Sequence, residues 1–446
     1  MKVVIIGTNH AGIAAANTLL DHYEDIELVM IDKNSNLSYL GCGTALWVGR
    51  QIDGYDHLFY TRPEDFEGKG AKILLETTVN DVDYDNKVVY AVTKDGEKVE
   101  ESYDKLIHAT GSRPIAPKLP GADLEGMHFL KLFQEGQEVD AALSHPEKET
   151  IAVIGAGYIG VEIAEAAQRR GKKVLLFDAA PTSLSNYYDT ELTHIMDENL
   201  RNNGIETHFG ELATEYIGDE NGHVVGLKTT EGEYEADVII NAIGFLPNAP
   251  FAKDHLETFG NGAYLVDRTF KTSDDDVYAI GDCATNFSNV TNKPNYIALA
   301  SNAVRTGIVA GHNIGGTHLE GAGIQGSNGI SIFGLNLVST GLSARLAEKE
   351  GFKVKVSDFE DTQFPSFMRE NEKVKIRLVY EEGTNRLLGA QLLSRYDISM
   401  AIHMYSLAIQ EQVTIDKLQL LDIFFLPHFN QPYNYLTMAA LNADKN

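Results

Sequence analysis

The chain begins with an apolar run, followed by a glycine-containing turn and an alanine-rich segment. The run KVVII (residues 2–6) is β-branched, GTNHAG follows it, and IAAANTLL has the apolar spacing of a helix. This order predicts a buried strand, a turn and a helix. The same order returns at 150–178, where TIAVIG, AGYIGVEIAEAAQRRG and KKVLLFD predict strand, helix and strand. The pattern therefore predicts two α/β units.

Two further stretches alternate between apolar and polar residues. In KVVYAVTKDGEKVEESYDKLIHATG (87–111) the alternation surrounds Asp95–Gly96, which predicts a hairpin. KVKIRLVYEEGTNRLLGAQLLS (373–394) predicts antiparallel strands, and DISMAIHMYSLAIQEQV (397–413) predicts a helix. The part of the chain after about Gly321 is therefore expected to be α+β.

Composition and charge narrow the class of protein. The 446 residues carry 37 Lys and Arg against 64 Asp and Glu, a net charge of −27 that would repel nucleic acid and anionic membranes. No apolar run approaches the ~18 residues needed to span a bilayer, and MKVVIIG enters a strand without a signal-peptide pattern. We expect a soluble cytoplasmic protein that binds neither nucleic acid nor membrane. The only cysteines are Cys42 and Cys283, so neither a disulfide framework nor a metal site is expected.

The first glycine turn matches a dinucleotide fingerprint incompletely. Gly7 and Gly12 hold the first and third glycine positions, but Asn9 stands at the second. Asp32 ends the next predicted strand about 20 residues beyond the turn, where an acid binds the adenosine ribose. A glycine turn that only packs strand against helix is the alternative.

The second fingerprint is complete. Gly155, Gly157 and Gly160 let a pyrophosphate approach the helix N-terminus, and Asp178 ends the following strand. An acid there binds a free ribose 2′-hydroxyl and repels a 2′-phosphate, and the next two residues are alanines rather than arginine. NADH is therefore preferred over NADPH. Two such sites in one chain favour two dinucleotides, one of them a flavin if electrons pass between them.

Two more apolar segments end in small or acidic residues. YDKLIHATGSRP ends a strand at Ala109, Thr110 and Gly111, and DDDVYAIGDCA ends another at Gly281 and Asp282. Ligands bind at such carboxyl ends in open α/β sheets. Asp282 could accept a hydrogen bond from a ribityl hydroxyl; a turn aspartate that caps the following segment is the alternative.

The chain resembles the FAD-dependent pyridine nucleotide–disulfide oxidoreductases, in the single-cysteine branch of NADH oxidases, NADH peroxidases and coenzyme A-disulfide reductases. The matching stretches are GTNHAG, SYLGCGTALWVG, GAGYIGVE, YAIGDCA, YIALASNAVRTG, GSNGISIFGLNLVSTG and FFLPHFNQPYNYLTMAALN. The resemblance implies an α/β fold with two Rossmann-like dinucleotide-binding domains, for FAD and NAD, and a C-terminal α+β dimerisation domain. The implied boundaries are 1–113 with 245–320 for the FAD domain, 114–244 for the NAD domain and 321–446 for the dimerisation domain.

Cys42 is the candidate redox centre. Disulfide-reducing relatives carry two cysteines separated by four residues, but here Trp47 holds the second place. A lone thiolate can reduce a peroxide and become a sulfenic acid, and a helix beginning near Thr44 is expected to favour the thiolate. By resemblance, His10 faces Cys42 as its hydrogen-bond partner and manages protons. The alternatives are an inert core cysteine and a solvated or capping histidine.

The resemblance also implies the remaining cofactor contacts. Tyr158 would cover the flavin until nicotinamide displaces it, with packing on the sheet as the alternative. For FAD the implied residues are Gly7, Thr8, Asn9, His10, Ala11, Gly12, Asp32, Lys33, Cys42, Val79, Ala109, Thr110, Gly111, Ser112, Asp282, Leu299, Ala300 and Ser301. For NADH they are Gly155, Ala156, Gly157, Tyr158, Ile159, Gly160, Asp178, Tyr187, Ile243, Gly244 and Gly329.

The expected activity is that of an FAD-dependent NADH oxidase that reduces O₂ to water. The alternatives are an NADH peroxidase that uses hydrogen peroxide, a coenzyme A-disulfide reductase, and a flavin redox sensor without turnover. The segment LLDIFFLPHFNQPY (420–433) is apolar and aromatic, which favours either a dimer interface or a core strand. By resemblance the protein is a homodimer or a dimer of dimers, with Phe424 and His428 completing the partner's site.

Overall fold

A computed structural model describes residues 1–443 of the chain. The strands are β1 (Lys2–Ile6), β2 (Glu27–Ile31), β3 (Lys72–Leu74), β4 (Thr77–Asp83), β5 (Val88–Thr93), β6 (Lys98–Ser102), β7 (Lys105–His108), β8 (Ser112–Pro114), β9 (Met127–His128), β10 (Thr150–Ile154), β11 (Lys173–Asp178), β12 (Ile205–Phe209), β13 (Ala213–Gly218), β14 (Val224–Thr229), β15 (Glu233–Glu235), β16 (Val238–Asn241), β17 (Phe245–Pro247), β18 (Val277–Ala279), β19 (Asn286–Ser288), β20 (Lys293–Asn295), β21 (Asn328–Ile332), β22 (Leu335–Gly341), β23 (Val354–Thr362), β24 (Lys373–Glu381) and β25 (Leu387–Ser394). The α-helices are α1 (His10–His22), α2 (Thr44–Val48), α3 (Pro63–Glu67), α4 (Phe133–Ser144), α5 (Tyr158–Arg169), α6 (Thr190–Asn202), α7 (Ala300–Ile314), α8 (Ala344–Lys349), α9 (Ser399–Gln410), α10 (Ile415–Leu418) and α11 (Tyr435–Asn442).

The first α/β unit contains a parallel sheet in the order β18-β7-β1-β2-β3. Strand β18 comes from residues beyond 245, so two distant parts of the chain share this sheet. Helices α1 and α7 pack closely, because Gly307 and Gly311 of α7 lie against Ala15 and Thr18 of α1, where a Cβ would collide. The predicted hairpin is present as β5 and β6.

The second α/β unit contains a parallel sheet in the order β12-β11-β10-β16-β9. Strand β10 is apolar and buried from Ile151 to Ile154, as the continuous run IAVI predicts. Strands β8 and β17 pair with each other where the chain enters and leaves this unit. The predicted domain boundaries near 113, 244 and 320 stay predictions.

The C-terminal unit is an antiparallel sheet in the order β21-β22-β25-β24-β23. The predicted strands of 373–394 are β24 and β25, and the predicted helix is α9. One face of the sheet packs against α9 and α11. The other face joins the core of the second α/β unit through Ile330, Leu337 and Leu393. Among residues 1–443, no helix is both long and apolar enough to cross a membrane.

Candidate active site

The first fingerprint turn is held tightly at the end of β1. Gly7 has φ +110°, and a Cβ there would collide with the Ala109 carbonyl oxygen at the end of β7. A Cβ on Gly12 would collide with the Gly7 carbonyl oxygen. Asn9 is accommodated at the second position because its φ of −107° is an ordinary extended value. The missing glycine therefore costs the turn nothing in backbone strain.

The second fingerprint has the same geometry and one open position. Gly155 has φ +100° and lies against the Ala242 carbonyl group, and Gly160 lies against Gly155. A Cβ on Gly157 would meet nothing within 4 Å. This open space above a backbone turn is the room that a pyrophosphate requires.

The two acids fix the turns. Asp32 Oδ2 accepts hydrogen bonds from Thr8 N (2.8 Å) and Thr8 Oγ1 (3.0 Å). Asp178 Oδ2 accepts from Ala156 N at 2.6 Å. Both carboxylates thus lie beside their glycine turns. Each Asp178 oxygen accepts one hydrogen bond and has a second lone pair for a ribose hydroxyl, whereas each Asp32 oxygen already accepts two hydrogen bonds within the protein.

Three long helices begin without a side-chain cap. The N-cap residues of α1, α5 and α7 are Asn9, Gly157 and Leu299, and none of them accepts a backbone hydrogen bond through its side chain. The first N–H groups of a helix need acceptors, and the helix dipole favours negative ones. The cradles of α1 and α5 fit two pyrophosphates, and the placement of α7 at the electron-rich end of a flavin stays a prediction.

Cys42 lies in the 3₁₀ turn Gly41–Gly43 that leads into α2. Cys42 is exposed to solvent in this structure. A Cβ on Gly43 would collide with the Leu58 side chain, and one on Gly41 would lie 3.7 Å from the Lys131 carbonyl oxygen. Gly43 therefore lets the thiol turn pack closely against Leu58, whereas a side chain at Gly41 would make only an ordinary contact.

No second thiol can reach Cys42. Trp47 fills the second-cysteine position, is buried, and stacks on Phe133 at a centroid distance of 5.8 Å. Cys283 is fully buried, and its Sγ donates to the carbonyl oxygens of His108 (3.3 Å) and Ile280 (3.2 Å). Neither Trp47 nor the buried Cys283 therefore offers Cys42 a partner for a local disulfide.

Cys42 and His10 face the same charged pair. Lys131 Nζ lies 3.2 Å from Asp282 Oδ2, and both charges act on the thiol and on the imidazole. Asp282 Oδ2 also accepts from Ser112 Oγ at 3.0 Å. Lys131 was not predicted from the sequence as a site residue. The one feature that could have indicated it is that it is the only lysine in the apolar run HFLKLF.

The surroundings of the thiol oppose the thiolate stabilisation that a helix beginning near Thr44 is expected to give. Helix α2 does begin at Thr44, but it has only five residues. Burial of the thiol by surrounding protein atoms, with the Glu162 carboxylate as the next cause, raises the pKa of Cys42. Lys131 acts in the opposite direction and is outweighed. Cys42 thus requires a base to become a thiolate.

His10 has a different partner from the one predicted. Its Nδ1 lies 2.9 Å from the Tyr60 hydroxyl and the two rings stack, whereas no hydrogen bond to Cys42 occurs among residues 1–443. Burial lowers the pKa of His10, and burial also raises the pKa of Tyr60 to about 12. Because Tyr60 engages Nδ1, Nε2 is the atom left for proton exchange. Sequence patterns could not identify Tyr60, since it lies in an irregular segment.

Tyr158 opens α5 and belongs to a hydroxyl cluster. Its hydroxyl lies 2.9 Å from that of Tyr188 and donates to Asn328 Oδ1. Tyr187 contacts the Tyr158 ring edge to face at 4.4 Å. Asn328 precedes Gly329, so the cluster brings the predicted NADH-binding positions Tyr158, Tyr187 and Gly329 together.

The other predicted residues lie in the first turns of helices α1, α5 and α7, on loops that follow strands of the two parallel sheets, or in the antiparallel sheet β4-β5-β6. The helix positions are Ala11, Ile159, Ala300 and Ser301, the loop positions are Lys33, Thr110, Gly111, Ile243 and Gly244, and Val79 lies within β4. Thr110 is held by Asn248, whose Nδ2 donates to its carbonyl oxygen at 3.1 Å. Gly244 has φ +121°, which only glycine adopts readily.

Glu162 is a titratable group that sequence reasoning missed, although it belongs to the motif GAGYIGVE. Burial, helped by Glu165 one turn away, raises the pKa of Glu162 to about 7. The carboxyl group is therefore close to half protonated at neutral pH. It lies near enough to Cys42 for its negative charge to oppose thiolate formation.

We expect Glu162→Gln to stabilise the protein at high pH. The folded pKa lies above the unfolded value of 4.5, so wild-type stability falls as pH rises from about 4.5 to about 7, by roughly 2–3 kcal/mol. In the variant this fall is absent. Urea unfolding at pH 5 and pH 8, with saturating FAD, measures the difference. Exposed Glu198→Gln is the control; an equal pH response in both variants would contradict the assignment.

The C-terminal aromatic segment is exposed in the single chain. Phe424 and Phe429 are 67% and 57% exposed, and His428 is also exposed. Residues 420–433 form no strand, so the core-strand alternative is wrong. An apolar surface of this kind requires a cover, as at a subunit interface.

Known protein families match this arrangement along the chain. The sequence pattern of the pyridine nucleotide-disulphide oxidoreductases matches residues 1–307, and that of the family's dimerisation domain matches residues 329–435. The chain belongs to the pyridine nucleotide-disulphide oxidoreductases. Membership of this oxidoreductase family confirms the predicted fold class and the cofactors FAD and NADH.

Individual members of the family are similar over their whole length. The NADH oxidase of Lactococcus lactis subsp. cremoris is 62% identical over 445 residues, which cover 99% of this chain and 100% of that one. The structure of a water-forming NADH oxidase from Lactobacillus brevis bound to NADH has a TM-score of 0.97 at 35% identity, covering 100% and 98% of the two chains. An engineered NADPH oxidase made from it, bound to NADPH, has a TM-score of 0.97 at 34% identity, with the same coverage.

Proposed function

We propose that this oxidoreductase is an FAD-dependent NADH oxidase that reduces O₂ to water, with Cys42 as its single redox-active thiol. NADH oxidases with matching length and fold support the oxidation of NADH by O₂. The observation that carries the water-forming step is the exposed Cys42, with Trp47 in the place of a second cysteine. FAD, when bound, supplies the electron transfer from NADH to O₂ and to Cys42.

The chemistry at Cys42 balances as follows. O₂, NADH and a proton give hydrogen peroxide and NAD⁺. The Cys42 thiolate attacks one peroxide oxygen, the O–O bond breaks, and the leaving hydroxide takes a proton to give water and Cys42–SOH. A second NADH supplies the electron pair that returns Cys42–SOH to thiolate, with release of a second water. The sum is 2 NADH, O₂ and 2 H⁺ to 2 NAD⁺ and 2 water.

His10 is the proposed proton carrier for this cycle. The raised pKa of the thiol calls for a base, and the lowered pKa of His10 keeps its imidazole neutral. Tyr60 fixes the ring through Nδ1, so Nε2 takes the thiol proton and delivers it to the leaving hydroxide. The Lys131–Asp282 pair is proposed to stabilise the charges that form at this site.

NADH is proposed to bind on the second fingerprint with Asp178 on its ribose. The engineered NADPH oxidase includes adjacent Asp to Ala and Ala to Arg changes among its five substitutions. This chain carries an adjacent acid and alanine, Asp178 and Ala179, at the end of β11. That pair supports a preference for NADH over NADPH.

The test is the NADH consumed per O₂ in an oxygen electrode, with catalase added at the end. About two NADH per O₂, with no O₂ returned by catalase, supports water formation. A ratio near one with O₂ returned would show a peroxide-forming oxidase. NADH oxidation that starts only with added hydrogen peroxide, or only with coenzyme A disulfide, would show one of the sister activities. Stoichiometric reduction without turnover would show a sensor.

We further propose that Phe424 and His428 complete the active site of the partner subunit in a homodimer. Mixed dimers test this directly. Cys42→Ser and His428→Ala chains, mixed and allowed to exchange, form hybrids in which one site carries both defects and the other carries neither. We expect the mixture to recover about a quarter of wild-type water-forming activity.

The unmixed variants, each allowed to exchange with itself, are the controls. If His428 acts within its own chain, every site in the mixture keeps one defect and no activity returns. A fully active monomer would also contradict the proposal.

A further inference from the structure

A row of polar residues crosses all strands of the C-terminal sheet. Consecutive members are paired in register on neighbouring strands, and in spatial order they are Asn328, Ser339, Gln391, Arg377 and Asp358. Directly paired side chains point to the same face of a sheet. The five residues therefore form one ladder, which we call the polar row.

The polar row lies in a buried and otherwise apolar interface. Ser339, Gln391 and Arg377 are 4%, 1% and 6% exposed. Two residues farther along the strands, Ile330 and Leu337 belong to the core shared with the second α/β unit. Buried polar side chains are costly unless they are paired, so this row requires partners in a defined geometry.

The partners come from one segment of the second α/β unit, residues 188–191. The Tyr188 hydroxyl oxygen lies 3.2 Å from Asn328 Oδ1. Asp189 N donates to Gln391 Oε1, and Gln391 Nε2 donates to Asp189 Oδ2, both at 2.8 Å. This pair of opposed hydrogen bonds fixes the segment in both translation and rotation, which an apolar contact would not do.

The charged end of the row is satisfied in the same way. Arg377 donates to both carboxylate oxygens of Asp358, at 2.8 Å and 2.7 Å, and pairs with Glu191 of the segment. Asp189 also accepts from Ala344 N at 3.0 Å, where α8 begins. The segment is thus bound to the C-terminal sheet at three positions, Tyr188, Asp189 and Glu191.

The other end of the row reaches the NADH side of the active site. Tyr188 and Asn328 both hydrogen-bond the Tyr158 hydroxyl. Ser339 Oγ donates to Asn328 Oδ1 at 3.0 Å. A second member of the polar row therefore also fixes the side-chain amide of Asn328. Gln391 is two strands away from Asn328, about 10 Å, and its side-chain hydrogen bonds join it to Asp189.

We propose that the polar row and segment 188–191 position Tyr158 for the reaction with NADH, with Gln391 as a positioning residue. This inference rests on the proposed assignment of Tyr158 to the nicotinamide site. Pinning Asp189 sets the adjacent Tyr188, which orients the Tyr158 hydroxyl. The contact between the C-terminal unit and the second α/β unit thereby becomes part of the NADH site.

A double-mutant cycle on the FAD-loaded enzyme tests the proposal. We expect Gln391→Met to lower the anaerobic rate of FAD reduction by NADH about fivefold, with the reoxidation rate by O₂ unchanged. In Tyr158→Phe, which lacks the hydroxyl, Gln391→Met is expected to have no further effect. If Gln391 acted only on stability, Gln391→Met would change the rate of FAD reduction by the same factor in the wild type and in Tyr158→Phe.

Arg395→Met is the matched control. Arg395 joins the same two units by donating to Asn199 Oδ1 at 3.2 Å, but it has no link to Tyr188. Arg395→Met is expected to leave the rate of FAD reduction unchanged. If Gln391→Met does not fold, Ser339→Ala takes its place in the cycle. Additive effects of Gln391→Met and Tyr158→Phe, or an equal slowing by Arg395→Met, would overturn the inference. Failure of the wild type to oxidise NADH would instead refute the proposed function.

Discussion

Replacement of Cys42 by serine is expected to turn the water-forming oxidase into a peroxide-forming one. The hydroxyl cannot take an oxygen atom from peroxide as the thiolate does, so the second half of the cycle stops. NADH consumed per O₂ should fall from about two to about one, with about one hydrogen peroxide released per NADH. An oxygen electrode with catalase added at the end measures both quantities.

Cys283→Ser is the matched control for this experiment. Its Sγ is fully buried and donates to backbone carbonyl oxygens, a contact that a hydroxyl can also make. The ratio of NADH to O₂ should stay near two in this variant. If Cys42→Ser also kept a ratio near two, reduction of peroxide by Cys42 would be excluded.

The parts of the fold set by short-range patterns could be predicted from the sequence. Continuous apolar runs before glycine turns identify β1 and β10, because only a strand buried on both faces is apolar throughout. The hairpin follows from the alternation around Asp95–Gly96. Asp32 and Asp178 lie beside their turns as predicted, since strand, turn and helix fix that distance locally.

The interactions that tune the site could not be predicted, because they join distant parts of the chain. Tyr60 reaches His10 across 50 positions, and Lys131 reaches Asp282 across 151. The pKa of Cys42 depends on whether burial or the helix N-terminus dominates. The Glu162 carboxylate raises this pKa further, in the same direction as burial. The polar row requires the register of the C-terminal strands, which alternation alone does not determine.

The matched positions of Asp32 and Asp178 allow the two dinucleotide sites to be distinguished. We expect Asp178→Asn with Ala179→Arg to reverse the preference from NADH to NADPH. Loss of the charged acceptor removes about 3 kcal/mol of ribose binding, roughly a hundredfold in kcat/KM for NADH, while arginine pairs with the 2′-phosphate. Asparagine keeps an acceptor for Ala156 N, so the turn itself is preserved.

Asp32→Asn makes the equivalent change at the other turn, where the carboxylate holds Thr8. If the first fingerprint binds FAD, this variant loses FAD on gel filtration but keeps its ratio of NADH to NADPH kcat/KM. The Asp178 variant should show the reverse, with full FAD content and a changed ratio. If the Asp178 variant instead lost FAD and kept its ratio of NADH to NADPH kcat/KM, the second fingerprint would be the FAD site and the first the NADH site. Because both acids fix their turns alike, general loosening of a turn would affect both variants in the same way and cannot produce this opposite pattern.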